Sequence, residues 1–172
     1  MSTKLKIAAA VAAAVLLSAC SSPKHEPMPL VKFTPSMEVT EVWSKGLSSA
    51  EGFLVPAVYD DMVFAAGGKT LTRLNARTGE TEWSVSFNSP ITGGVGSDGY
   101  VTAVGLWDGN LEVVDAEGKV SWEKKLTTEL ASPPVVSHGL VIARTMDTRV
   151  SAFEASSGEL QWTYQRLSLI HI

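Results

Sequence analysis

The side chains that could carry chemistry in this 172-residue chain are few and scattered. Cys20 is the only cysteine, which excludes an intrachain disulfide, a CxxC redox pair and a multi-cysteine zinc site. His25, His138 and His171 are too dispersed for a metal cluster or a Cys/His nucleophile pair. Asp60, Asp61, Asp98, Asp108, Asp115 and Asp147 could supply calcium ligands or a general base, but most adjoin glycine or end an apolar run, where Asp serves as a turn former. Ser132-Pro133-Pro134 lacks the G-x-S-x-G frame of a nucleophile elbow. Gly93-Gly94-Val95-Gly96 has no helix start after it to hold a phosphate and reads as a glycine-rich strand at a crowded place. No catalytic residue, metal or cofactor is expected. With 14 Lys+Arg against 18 Asp+Glu, the chain carries −4 and has no basic footprint for nucleic acid.

Cys20 is the exception, because its surroundings point to one reaction. Lys4 and Lys6 precede an uncharged apolar run from Ile7 to Leu17, followed by Ser18, Ala19 and the cysteine. Such a run falls well short of the ~20 residues a membrane-spanning helix needs, so residues 1–19 read as a cleaved secretory signal. Leu17-Ser18-Ala19-Cys20 resembles the lipobox of bacterial lipoproteins. That resemblance implies a thioether from the Cys20 thiol to diacylglycerol and an acylated amino group, more than one chain being needed for stable anchoring. The other reading is an ordinary signal with an incidental cysteine. Ser21 and Ser22, where Asp would favour inner-membrane retention, imply an outer-membrane destination by the same resemblance. Cleavage removes two lysines and no acid, leaving the mature chain at −6. Pro23, Pro27, Pro29 and Pro35 lie among polar residues in the stretch 20–41, which reads as an extended tether.

The elements that follow are set by a repeat. Trp43, Trp83, Trp122 and Trp162 are separated by 40, 39 and 40 residues. Their surroundings recur with them: Leu74-Asn75-Ala76-Arg77-Thr78-Gly79 before Trp83, Val114-Asp115-Ala116-Glu117-Gly118 before Trp122, and Phe153-Glu154-Ala155-Ser156-Ser157-Gly158 before Trp162. Within a repeat, apolar residues alternate or run for about six positions and are broken by Gly, Asp or Asn, the punctuation of strands and hairpins. Gly79, Gly118 and Gly158 supply the positive φ of a tight turn between the third and fourth strands. The first repeat divides into strands near 54–58, 61–66, 70–75 and 80–87. A four-stranded unit of about 40 residues in tandem is a β-propeller blade, and the recurring Trp suits the packing of one blade on the next. A β-sandwich has no reason to repeat Trp at a fixed interval, and a β-solenoid coil is usually shorter. The fold is therefore expected to be all-β, with about three blades over residues 42–166 and an unassigned tail at 167–172. Closed propellers have about four to eight blades, so the chain reads as the N-terminal portion of a larger ring, or as one closed by oligomerisation.

With the lipobox and tether, the runs LNARTGETEWSVSF at 74–87, GGVGSDGYVTAVG at 93–105 and SPPVVSHGLVIA at 132–143 resemble the BamB family of outer-membrane lipoproteins. The resemblance implies a ring of about eight blades, under half of it present. It also implies a non-catalytic scaffold of the β-barrel assembly machinery, lipid-anchored on the periplasmic face of the outer membrane. Its partner would be a BamA-like barrel-inserting subunit, contacted through its POTRA domains by loops beyond Ile172. The blades also resemble those of quinoprotein dehydrogenases, which would imply a pyrroloquinoline quinone, a calcium ion, a catalytic carboxylate and a vicinal Cys pair. The Cys pair is absent. A periplasmic binding or structural propeller is the third reading.

Overall fold

The computed structural model describes residues 28, 30, 36–48 and 54–165. The chain divides into two units, Met1–Val39 and Thr40–Ile172. The described part of the first unit has a bend at Ser36 and Met37 and no regular element. The expected signal segment, Cys20 and the tail at 167–172 lie outside the described residues.

Unit two contains twelve strands in three four-stranded antiparallel sheets. The first sheet holds β1 (Ala57–Tyr59), β2 (Met62–Gly67), β3 (Thr70–Asn75) and β4 (Thr81–Ser86). The second holds β5 (Ile91–Ser97), β6 (Val101–Leu106), β7 (Asn110–Asp115) and β8 (Val120–Lys125). The third holds β9 (Val135–Ser137), β10 (Leu140–Arg144), β11 (Arg149–Glu154) and β12 (Leu160–Gln165). Each sheet is a meander with its strands in chain order. This is the all-β architecture of successive propeller blades expected from the repeat. The first strand of the first blade starts later than expected, at Ala57, because Pro56 before it has no N–H to give to a ladder.

Alternation within the strands places the core in two seams. Phe64, Ala66 and Leu71 of the first sheet meet Ile91, Val95, Val104, Leu106 and Val114 of the second. Leu111, Val113 and Ala103, on the opposite face of that second sheet, meet Val136, Val141, Ala143 and Phe153 of the third. The middle sheet is buried on both faces, which is why β6 reads as an almost unbroken apolar run. The fourth strands are outermost and read polar. The glycines of β5 and β6 also have a packing reason. A Cβ on Gly96 would lie 2.0 Å from the Pro134 carbonyl oxygen, and one on Gly105 would lie 2.5 Å from Leu130 Cδ1. The Leu130–Pro134 segment thus lies directly on this strand pair, and only glycine admits it.

One polar pair sits in the first seam. Glu112 faces Glu123 directly across the β7–β8 ladder and is only 8% exposed. The equivalent pairs in the other sheets are hydroxyls, Thr72 with Ser84 and Ser151 with Thr163, each 3.1 Å apart. Burial first, then the charge and hydrogen bond of Glu123 and the charge of Asp108, hold the Glu112 carboxyl above the usual carboxylate range. Its native form therefore keeps a proton that the unfolded chain releases. Stability is expected to fall as pH rises from the usual carboxylate range through that raised value, and Glu112→Gln is expected to flatten the fall. Urea denaturation across about pH 4 to 8 measures both.

Candidate functional site

The recurring tryptophans act across the seams. The indole N–H of Trp43 donates to the Ala76 carbonyl at 2.9 Å, that of Trp83 to Ala116 at 2.9 Å, and that of Trp122 to Ala155 at 2.8 Å. Each acceptor lies in the tight turn between the third and fourth strands of the following sheet. Each indole also covers the glycine that ends the same turn. A Cβ on Gly79 would stand 2.6 Å from Trp43, one on Gly118 2.9 Å from Trp83, and one on Gly158 2.7 Å from Trp122. The three glycines have φ of 72°, 85° and 70°. They therefore serve twice, turning the chain left-handed and leaving a flat backbone surface for the ring.

A β-bulge in each fourth strand precedes the Trp. The ladder passes over Glu82, Ser121 and Gln161, so that Trp83, Trp122 and Trp162 pair with Arg73, Val113 and Ala152. A bulge bends its strand and re-aims the next side chain, here toward the neighbouring sheet. In the first sheet the bulged Glu82 pairs with Arg73 at 2.6 Å. Arg73 Nη1 donates a second hydrogen bond, 3.0 Å long, to the Ala116 carbonyl that Trp83 already uses. Trp83 and Trp122 also tilt against Phe64 and Phe153, with ring centroids 6.1 Å apart in both pairs.

The tryptophans were expected to pack one blade on the next, and Trp83 and Trp122 do so with part of each ring left exposed. Trp43, Trp83 and Trp122 are partly buried; Trp83 and Trp122 lie on the outer strands and pack against the two core clusters while covering a turn of the next sheet. Trp162 is 43% exposed and meets no such turn among the described residues. The aspartates are spread over separate turns. Asp98 Oδ1 accepts the N–H groups of Tyr100 and Val101 at 3.0 Å, Asp108 that of Asn110 at 3.0 Å, and Asp115 that of Lys119 at 2.8 Å. Asp61 pairs with Arg77, and Asp147 accepts the hydroxyls of Thr127 and Thr145. Asp60 and His138 occupy the left-handed positions of hairpin turns, with φ of 48° and 52°. Among the described residues no group of three His, Cys, Asp or Glu side chains could hold a metal ion.

A family model described as outer membrane protein assembly factor BamB matches residues 40–90 and 67–170, which include all three sheets and the Trp43 segment. The chain belongs to the BamB family. The BamB of Burkholderia pseudomallei is 38% identical over 162 residues, covering 91% of this chain and 42% of its own length. The crystal structure of BamB from Moraxella catarrhalis superposes with a TM-score of 0.59 at 26% identity, covering 66% of this chain and 35% of that one. The chain thus spans under half the length of the curated BamB relatives it matches. The quinohemoprotein alcohol dehydrogenase of Comamonas testosteroni also superposes, with a TM-score of 0.55 at 22% identity over 68% of this chain and 21% of its own. That likeness reaches the fold alone.

The Trp-to-turn contact gives a stability prediction. Trp122→Phe keeps an aromatic ring but removes the N–H donor and strands the Ala155 carbonyl, at an expected cost of about 1–3 kcal/mol. Gly158→Ala adds both a left-handed alanine and a clash with Trp122, whereas Gly139→Ala, at φ 74° with nothing within 4 Å of its Cβ, adds only the former. Gly139→Ala is therefore expected to cost about 1–2 kcal/mol and Gly158→Ala distinctly more, as read from urea midpoints.

Proposed function

We propose that this chain is a non-catalytic, lipid-anchored scaffold for the assembly of β-barrel proteins into the outer membrane. The observation that carries the reading is the family match over all three sheets, in a molecule whose aspartates are committed to separate turns. In this reading residues 1–19 are a signal peptide and Cys20 carries the diacylglycerol and acyl chains on the periplasmic face. Residues 20–41 form the tether, which at ~3.1 Å per extended residue would reach roughly 70 Å from the lipid surface. Residues 42–166 form the scaffold, and the partner is a BamA-like barrel-inserting subunit engaged through its POTRA domains. The outer strands β4 and β8 are polar and largely exposed, and such edges offer backbone groups to which a partner strand can add. Scaffolding of this kind needs rigid placement of surfaces rather than a reacting group.

Two experiments test the reading. Cys20→Ser is expected to move the protein from the membrane pellet to the soluble periplasmic fraction; retention with outer membranes in high salt would show that lipid is not the anchor. Crosslinking of the native protein in cells is expected to recover the barrel-inserting subunit. Tightly bound quinone with alcohol or sugar oxidation, and no such crosslink, would instead establish an oxidoreductase.

A further inference from the structure

The two seams share one frame but are filled differently. Aligning the sheets on their Trp residues makes Val85, Phe87 and Glu112 of the first seam equivalent to Lys124, Leu126 and Ser151 of the second. In the first seam Val85 and Phe87 pack into the apolar cluster and Glu112 is buried. In the second the shorter Leu126 and Ser151 leave a groove of about 310 Å3 between β8 and the third sheet. Its apolar lining is Leu126, Ala143, Phe153 and Leu160, and its polar lining includes Lys124, Lys125, Arg149 and the Ser151–Thr163 hydroxyl pair.

The cations in this groove are not equally available. Arg149 Nη2 donates to Gln165 Oε1 at 3.2 Å, and its Nε lies 3.8 Å from the Asp147 carboxylate. Asp147 is in turn held by Thr127 and Thr145, whose hydroxyls, ahead of Arg149, keep it below the usual carboxylate range and therefore charged. Lys125 donates to the Asp108 carbonyl. Lys124 has no hydrogen-bond or ion-pair partner among the described residues, although it lines the groove beside apolar surface. One free ammonium above an apolar floor, beside an Arg149 whose Nε is buried with no hydrogen-bond partner, suits a small anion on a short hydrocarbon stem. The volume is at the lower end of small-ligand sites, which run from about 300 Å3.

We propose that the groove between β8 and the third sheet is a binding site for a carboxylate carried on a short apolar stem. Lys124 meets the carboxylate, the Ser151–Thr163 hydroxyls flank it, and Leu126 and Phe153 receive the stem. Such a group occurs both as a free aliphatic acid and as the C-terminal residue of a peptide.

The test titrates the full chain with hexanoate, with N-acetyl-alanyl-leucine, and with the amide of that dipeptide, following NMR shifts. At least one carboxylate is expected to saturate, with its largest shifts at Lys124, Leu126 and Ser151, while the amide binds at least tenfold more weakly. Saturation by the dipeptide alone identifies a peptide terminus as the source, and saturation by hexanoate alone a free acid. Leu126→Phe, which restores the residue of the first seam, is expected to abolish binding without lowering Tm. Lys124→Ala, which removes a side chain with no partner, is expected to weaken binding at least tenfold in a folded protein. The proposal fails if neither carboxylate saturates by about 10 mM, far weaker than useful recognition, if the amide binds equally well, or if both variants bind like the parent.

Discussion

The described structure of this propeller depends on one contact, an indole N–H given to a backbone carbonyl of the next sheet. A phenyl ring could supply the area but not the donor, and the carbonyl belongs to a turn whose outer side would otherwise need water. The contact fixes three distances together: sheet to sheet, fourth strand to following turn, and ring to glycine. The small residues of the turn follow from it. Alanine at the acceptor position leaves room beside the carbonyl, and glycine at the end of the turn presents backbone where a methyl group would strike the ring. The bulge before each Trp belongs to the same device, because a regular strand would aim the ring differently.

Once the frame is held at its outer edge, the seam inside it is free to vary. The first seam is filled by a phenylalanine and closed by two facing carboxyls, one of them nearly buried. The second uses smaller side chains at the equivalent positions and stays open. Where Trp43 lies against the first sheet there is a third version, in which Lys45 and Leu47 line a cleft with Thr70, Thr72 and Ser84. A family that keeps the indole contact can therefore change the chemistry between blades at little cost to architecture. This is the freedom a scaffold needs if each seam or rim is to meet something different.

Much of this was legible in the sequence. The interval between tryptophans gave the repeat, the glycines gave the turns, and alternation gave four strands per repeat. The link between each Trp and the following turn was not legible. It joins two repeats, its acceptor is a main-chain oxygen without a side-chain signature, and the invariant alanine passes for a neutral filler. Pattern alone also does not show that a ring packed against core side chains caps backbone at the same time. The groove was hidden for another reason. Lys124, Leu126 and Ser151 are ordinary residues individually and become informative only beside their equivalents Val85, Phe87 and Glu112, once the strand registers are known.

The spacing of the indole contacts has a further consequence. Trp43, Trp83 and Trp122 each reach an acceptor 33 residues ahead. The tryptophans themselves are spaced unevenly because Ala116 precedes Trp122 by six residues, whereas Ala76 and Ala155 precede Trp83 and Trp162 by seven. Among the described residues each seam therefore closes a loop of the same modest length, with nearly the same entropic cost, and touches only its neighbour. Folding can proceed blade by blade in the order of chain delivery. A seam can form as soon as the next turn has been made, while later blades are still unfolded.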